Sequence, residues 1–141
     1  MACVCEVGTS AVTLTIFFPF PTDHITSNDR RHWKALLKPK KEWRDAAHWH
    51  AAAQTRGLKG KPLDQVNVQI TYTGIMVRDA HNLSVTSKWI VDGIVAAGVL
   101  VDDSDDHITL LPNIVVRHRW PIHRRTVTVT ITPRTQQELT Q

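Results

Sequence analysis

Two periods of hydrophobicity alternate along this chain, and together they restrict the fold that it can adopt. Segments of period two, typical of half-buried strands, cover residues 11–18, 66–72 and 126–132. Segments with helical spacing cover residues 38–55 and 84–97. A further strand is expected after the second helix, interrupted near Pro112. This order predicts an α/β or α+β domain, with a small mixed sheet of about four strands packed against two helices.

The 141 residues suffice for a single domain, residues 1–141, with loose ends expected at residues 1–10 and 134–141. Asn82 or Ser84 is positioned to cap the second helix. No apolar run reaches the length of a membrane span, and the first residues alternate like a strand rather than a secretory signal, so a cytoplasmic protein is expected. Cys3 and Cys5 lack further Cys partners and are interpreted as free thiols.

The acids are unevenly distributed in a chain whose formal net charge is +4. The segment from Val77 to Ile108 holds six of the thirteen Asp and Glu residues but only two of the seventeen Lys and Arg residues. Dinucleotide-binding, P-loop and nucleophile-elbow glycine motifs are absent from the sequence. The gathered acids are therefore the main candidate for a chemical site.

Two groups of acids within that segment predict a divalent-metal site. Asp79 and His81 follow a strand at positions i and i+2, which point the same way in extended chain. Asp102 and Asp103 follow the second helix. Carboxylates suit Mg²⁺ or Mn²⁺, and an imidazole favours Mn²⁺ relative to Mg²⁺. The alternatives are that the aspartates form a solvated turn and that Asp79 caps the helix.

Helix length separates these two groups, because about 14 residues at about 1.5 Å each span roughly 20 Å. Either the chain doubles back, or a two-fold partner brings the far end of its own helix to the site. Lys88, within the helix, can stabilise developing charge on a phosphate. Its alternative is a surface pair with Asp92 at position i+4.

Two clusters of Arg and Lys interleave with Trp and His, at residues 30–44 and 117–125. Such mixtures suit phosphate contacts with some stacking, and the alternative is a solvated helix face and a charged edge strand. The candidates for contacts with a DNA backbone are Arg30, Arg31, Lys38, Lys40, Lys41, Arg117, Arg119, Arg124 and Arg125. The tryptophans expected to be core or partly buried are Trp33, Trp43, Trp49 and Trp120.

The central segment "RDAHNLSVTSKWIVDGIVAAGVLVDD", residues 78–103, resembles the signature of the RusA family of Holliday junction resolvases. In that signature, R-D-x-D-N-L opens a helix that contains a lysine and an aspartate before a glycine, and a D-D pair follows. The stretch "IFFPFPTDHITSNDRRHW" resembles the family's strand, proline-rich turn and Asn-containing loop. The likeness covers residues 12–132. Two departures are His81 in place of the second aspartate and a longer spacing between Asn82 and Lys88.

The resemblance implies a small homodimeric endonuclease that binds four-way DNA junctions and cuts opposed strands by paired, metal-dependent nicks. It implies that the catalytic residues are Asp79, His81, Lys88 and Asp103. It implies that the metal ligands are Asp79, His81, Asp102 and Asp103, with Mg²⁺ as the cofactor and Mn²⁺ as a plausible substitute. Such an enzyme would act in DNA recombination and repair, in a bacterium or a phage-infected cell.

Three other functions remain open at this point. A chain with the fold but without activity, because of His81, would bind junctions or other branched DNA without cutting. A structure-specific nuclease would prefer forks or flaps to four-way junctions. A small scaffold whose aspartates form only a turn would bind no DNA at physiological salt.

Overall fold

The computed structural model describes residues 3–5, 12–55 and 62–134. Its two helices are α1 (Leu37–Gln54) and α2 (Ser84–Ala96). Its strands are β1 (Cys3–Cys5), β2 (Val12–Pro19), β3 (Val66–Ile75), β4 (Ile108–Leu110), β5 (Ile114–Arg117) and β6 (Thr126–Pro133). The mixed α and β content confirms the fold class predicted from the hydrophobic periods.

The six strands form one mixed sheet in the order β1-β2-β6-β3-β4, with β5 beside the second half of β3. The contacts β1–β2, β2–β6 and β6–β3 are antiparallel. By contrast, β4 and β5 both run parallel to β3. A parallel neighbour requires a crossover connection, and α2 lies in the connection that leads from β3 to β4.

The core lies between one face of the sheet and the two helices. Alternate residues of the central strands are fully buried, and these are Leu14, Ile16, Phe18, Val68, Ile70, Tyr72, Val127, Val129 and Ile131. The threonines of β6 fall between the buried positions and are partly exposed. The period-two prediction for β2, β3 and β6 is therefore confirmed, including which residues face inward.

Helix α1 forms where Trp43, Ala47 and Ala51 recur every four residues and bury one face against the sheet. Pro39 is tolerated because it lies in the first turn, where its missing N–H has no helical partner. The helix ends at Thr55, whose N–H and hydroxyl both donate to the carbonyl of Ala51, at 3.0 and 2.6 Å.

Helix α2 is the more apolar helix, and it packs against both the sheet and α1. Gly98 follows it in the left-handed region, with φ of +82°, and its N–H donates to the carbonyl of Val95 at 2.9 Å. The predicted end of this helix is confirmed, since glycine adopts that conformation without steric cost. Neither helix of the described part is long and apolar enough to cross a membrane.

Three sequence predictions about the fold were wrong in detail. The sheet has six strands rather than about four, because Pro112 divides one predicted strand into β4 and β5 and because Cys3–Cys5 pairs with β2. That pairing also replaces part of the predicted loose N-terminus, while residues 6–11 and 135–141 lie outside the described part. Neither Asn82 nor Ser84 caps α2, because a 3-10 turn from Ala80 to Leu83 precedes the helix.

Gly93 sets the distance between the two helices. A Cβ atom at this position would lie 2.4 Å from the carbonyl oxygen of Arg44 and 2.9 Å from Cβ of Ala47. Both neighbours belong to α1, and a backbone carbonyl cannot move aside without shifting the helix.

Gly93→Ala is therefore expected to lower the free energy of unfolding by about 1–3 kcal/mol, although alanine has the higher helix propensity. Urea unfolding followed by circular dichroism measures this change. Ala53→Ser, on the exposed side of α1, serves as the control and should change stability by less than about 0.5 kcal/mol. A stabilised Gly93→Ala variant would contradict the close packing of the helices.

Candidate active site

The turn after β3 carries the first pair of predicted ligands. Asp79 ends the extended chain, and its carboxylate accepts the backbone N–H of His81 at 3.0 Å. His81 lies within the 3-10 turn, so the assumption of two extended residues pointing the same way was wrong. Asp79 caps this 3-10 turn rather than α2 itself, which the capping alternative had proposed. Both side chains nevertheless line one cavity of about 480 Å³, at the break between β4 and β5.

A chain of buried and partly buried hydrogen bonds holds this turn against the core. Ser87 donates to Oδ1 of Asn113 at 2.8 Å, and the amide of Asn113 donates to the carbonyl of Ala80 at 3.3 Å. Because a serine has only one O–H, the hydroxyl of Tyr72 must donate to Ser87, at 2.6 Å. Burial raises the pKa of Tyr72, which stays protonated as this donor role requires.

The network includes the residue directly before β5, Asn113. Asn113 follows the proline that interrupts the edge strand, and its side chain joins α2 to the turn that carries Asp79. No motif in the sequence marks this role, since Asn113 is a single polar residue after Pro112, between two apolar runs. The nearest signal was Pro112 itself, because a proline inside a strand marks a break where neighbouring side chains change direction.

The acidic turn after α2 comes back along the helix. Asp103 Oδ2 lies 3.1 Å from Nζ of Lys88, while Asp102 accepts the backbone N–H of Asp103 at 2.8 Å. Lys88 stands four residues after Ser84, which is about 6 Å along the helix axis. The chain therefore doubles back and brings Asp103 to the N-terminal half of α2.

This ion pair shifts the pKa of both groups. The hydrogen bond from Lys88 lowers the pKa of Asp103 below its ordinary value, and the same bond raises the pKa of Lys88. The surface pair of Lys88 with Asp92, considered from the sequence, is not the contact that forms. Asp92 contributes only a longer-range attraction that adds to the rise in the pKa of Lys88.

The donor types of the predicted metal site suit Mg²⁺ or Mn²⁺, but their arrangement in one chain does not. Among the described residues, no group of three or more His, Cys, Asp or Glu side chains could hold a metal ion. Asp79 is engaged in capping, and one oxygen of Asp103 is engaged by Lys88. Two predicted residues, Lys88 and Asp103, are thus in direct contact, and Asp79 and His81 share a separate cavity.

The loop between β2 and α1 is tied to the N-terminal end of α2. The backbone N–H of Ile25 donates to the Thr86 hydroxyl at 3.0 Å, and that hydroxyl donates back to the Ile25 carbonyl at 2.7 Å. Ser27 bonds Asn82 through both its N–H and its hydroxyl, at 2.8 and 3.1 Å. These bonds join residues that are 55 to 61 positions apart in sequence. The loop between β2 and α1 and the N-terminal end of α2 therefore form one unit.

The first basic cluster is partly neutralised by its own acids. Arg31 binds Asp29 at 2.7 Å, and Lys41 binds Asp45 at 2.8 Å. The contact of Lys38 with Glu42 is longer, at 3.9 Å. Among the described residues, the predicted phosphate contacts of this cluster that form no salt bridge are Arg30 and Lys40.

Several residues of the second basic cluster contact Trp120. The ring of Trp120 stacks on His118 with centroids 4.5 Å apart, and Arg124 lies 4.9 Å above it. Arg125 donates to the carbonyl of Trp120 at 3.0 Å and pairs with Asp23 at 2.8 Å. Arg125 is therefore a structural residue of the connection between β5 and β6 as well as a predicted DNA contact.

Two other cations of this cluster occupy different settings. Arg117 donates to the carbonyl of Arg78, next to the turn that carries Asp79, at 2.7 Å. Arg119 is exposed and lines a small cavity of about 210 Å³ with His24. Burial lowers the pKa of His24 below its ordinary value, against the opposing effect of Asp23.

The expectation that four tryptophans are core or partly buried was wrong for two of them. Trp43 is fully buried and Trp120 is partly buried. Trp33 and Trp49, by contrast, are 61% and 68% exposed. Composition does not separate these cases, because the exposure of a helical tryptophan depends on which face of the helix meets the sheet.

No family model matches this chain, and no curated protein matches it. Among solved structures, a HypE–HypF complex covers 92% of this chain at 11% identity with a TM-score of 0.45. A thiamine-monophosphate kinase from Stenotrophomonas maltophilia K279a covers 93% at 14% identity with a TM-score of 0.30. The chain spans about a third of the length of each, 34% and 36%. Likeness this distant assigns no function.

The Tyr72–Ser87–Asn113 network allows a direct energetic test. Ser87→Ala should lower the free energy of unfolding by about 1–3 kcal/mol, because it leaves the buried hydroxyl of Tyr72 without an acceptor. Tyr72→Phe combined with Ser87→Ala should cost clearly less than the sum of the two single changes. Urea unfolding of all four proteins in the cycle measures the coupling. Strictly additive values would show that the two hydroxyls do not interact.

Proposed function

We propose that this chain is a metal-dependent endonuclease of the RusA type, which resolves four-way DNA junctions by paired nicks in the cytoplasm of a bacterium or a phage-infected cell. The observation that carries the proposal is the contact between Lys88 Nζ and Asp103 Oδ2, 3.1 Å apart. The motif resemblance assigned a role to each of these residues from sequence alone. They are fifteen positions apart, and the fold places them together on an exposed edge of α2.

The roles of the chain's own residues follow from their charges. The exposed ammonium of Lys88 can approach a phosphate oxygen and stabilise the charge that develops there during hydrolysis. Asp103 keeps Lys88 positioned through their contact of 3.1 Å. Arg30, Lys40 and Arg119 are exposed cations that can hold the DNA backbone on either side.

Hydrolysis of this type depends on a divalent cation, and the described residues of one chain do not hold one by themselves. We therefore propose that the active form is a homodimer in which a second copy completes each site. An isologous pair forms two equivalent sites. That number suits a substrate with two strands to cut.

The decisive experiment is cleavage of a labelled synthetic four-way junction in Mg²⁺ and in Mn²⁺, beside a linear duplex of the same sequence. The expected result is a pair of symmetric nicks in the junction and none in the duplex. Asp103→Asn and Lys88→Met should each lower the nicking rate by about 100-fold or more, with junction binding retained by fluorescence anisotropy. Asp106→Asn is the matched control, because Asp106 belongs to the same exposed turn and forms no salt bridge among the described residues.

Other results would favour the other functions. Tight junction binding without nicks in either metal would identify a binding protein whose activity His81 has removed. Faster cleavage of forks or flaps than of junctions would identify a nuclease with a different substrate. The absence of DNA binding at physiological salt would favour a small scaffold whose aspartates form only a turn.

A mixing experiment tests whether sites are shared between copies. Asp79→Asn and Asp103→Asn should each be inactive alone. If each site takes Asp79 from one copy and Asp103 from the other, a mixed dimer has one intact site and one doubly altered site. Mixing should then restore single nicks, at up to about a quarter of the wild-type site number if subunits assort randomly.

Subunit exchange must be verified in the same samples, for example by two affinity tags that are captured in sequence. Captured mixed dimers that remain inactive would show that Asp79 and Asp103 act within one chain. A wild-type protein that sediments as a monomer on junction DNA while nicking it would contradict the dimer proposal altogether.

A further inference from the structure

A groove between α1 and α2 opens on the outer side of the helices, away from the sheet. It has a volume of about 610 Å³, within the range of about 300–1,000 Å³ that is typical of ligand pockets. Its floor on α2 is formed by Gly93 and Ala96, and α1 supplies the rest. The α1 residues that line it are Leu37, Lys40, Lys41, Arg44, Asp45, His48 and Trp49.

Trp49 offers this groove an aromatic face. Its ring meets the ring of His48 edge-on, with centroids 4.9 Å apart and planes at 88°. The tryptophan is 68% exposed, whereas Trp43 on the same helix is fully buried. A large aromatic side chain left in water at the rim of a groove is a feature of binding surfaces rather than of a core.

The charges beside Trp49 are positive and partly unneutralised. Lys40, Arg44 and His48 recur every four residues and form one stripe along α1. The single acid of the groove, Asp45, binds Lys41 at 2.8 Å. Among the described residues, Lys40 and Arg44 form no salt bridge, so two cations remain for an anion.

An aromatic face flanked by free cations matches both the bases and the phosphates of a nucleotide strand. Bases stack on an exposed aromatic ring, and phosphates meet the cations. A duplex satisfies only the second part, because its bases are already stacked and paired inside the helix. An unpaired segment satisfies both, and branched DNA supplies such segments where its arms open.

We infer that the α1–α2 groove binds unpaired DNA, with a base stacked on Trp49 and the neighbouring phosphates on Lys40 and Arg44. The inference rests on the proposed function in taking the ligand to be DNA, and it adds a second contact surface. Gly93 is five residues from Lys88, which is about 140° around α2. The groove and the Lys88–Asp103 pair therefore use different faces of the same helix.

The test is the affinity of a short labelled oligo(dT) by fluorescence anisotropy in EDTA, where no metal-dependent cutting occurs. Trp49→Ala should weaken binding by about tenfold, and Trp49→Phe by less than about threefold, since phenylalanine also stacks. Trp33→Ala is the matched comparison and should weaken binding by less than about threefold. Trp33 is similarly exposed and also lies beside a histidine and a lysine, but it is outside the groove.

Two further measurements separate stacking from charge. An abasic oligonucleotide of equal length should bind the wild type more weakly than oligo(dT) does, and Trp49→Ala should not distinguish the two. Replacing both Lys40 and Arg44 by Gln should reduce the slope of log K against log salt by about 1.4, from about 0.7 per phosphate contact on a single strand.

Several outcomes would overturn the inference. Equal oligo(dT) affinity for Trp49→Ala and wild type would do so, as would equal losses in Trp49→Ala and Trp33→Ala. Binding of duplex but not of single strands would show that the surface contacts the backbone alone, and absence of any DNA binding would leave the groove to a protein partner. None of these measurements depends on nicking. If the wild type cuts junctions but Trp49→Ala binds oligo(dT) as the wild type does, this inference fails and the proposed function stands.

Discussion

The parallel pairing of β3 with β4 and β5 is the constraint on which the arrangement of the acids depends. Parallel strands cannot be joined by a tight turn, so the chain must cross over the sheet before it returns. Here α2 makes that crossing, and the returning segment runs back alongside the helix. Asp79 follows the end of β3, and Asp103 precedes the start of β4. The two acidic groups therefore meet the same half of α2 although a helix separates them in sequence.

Polar bonds inside the core then fix the details of that edge. Tyr72 from β3, Ser87 from α2 and Asn113 from the strand break form a chain that ends on the turn that carries Asp79. Thr86, the residue before Ser87 on α2, holds the loop between β2 and α1 in the same way. Because buried hydroxyls and amides are costly to leave unpaired, these contacts keep the loop, the turn and the helix in one arrangement.

The charges separate onto different surfaces of this scaffold. Six aspartates lie on α2 or in the turns before and after it, while α1 and the connection between β5 and β6 carry most of the exposed cations. Such a distribution keeps a negative site from being neutralised by the protein itself, except at the Lys88–Asp103 pair. It also leaves two positive surfaces free for a polyanion, as the proposed substrate would need.

The sequence by itself determined the segments that form α1, α2, β2, β3 and β6, which side chains of those strands face the core, and that α2 ends just before Gly98. These features depend on local hydrophobic period and on the conformational freedom of glycine, so neighbouring residues contain the information. The sequence also singled out Lys88 and Asp103, through a motif. The tertiary structure alone decided that Lys88 binds Asp103 rather than Asp92, and that Trp49 is exposed while Trp43 is buried. Each of those outcomes depends on contacts between segments far apart in the chain, and no local pattern specifies which long-range contact wins.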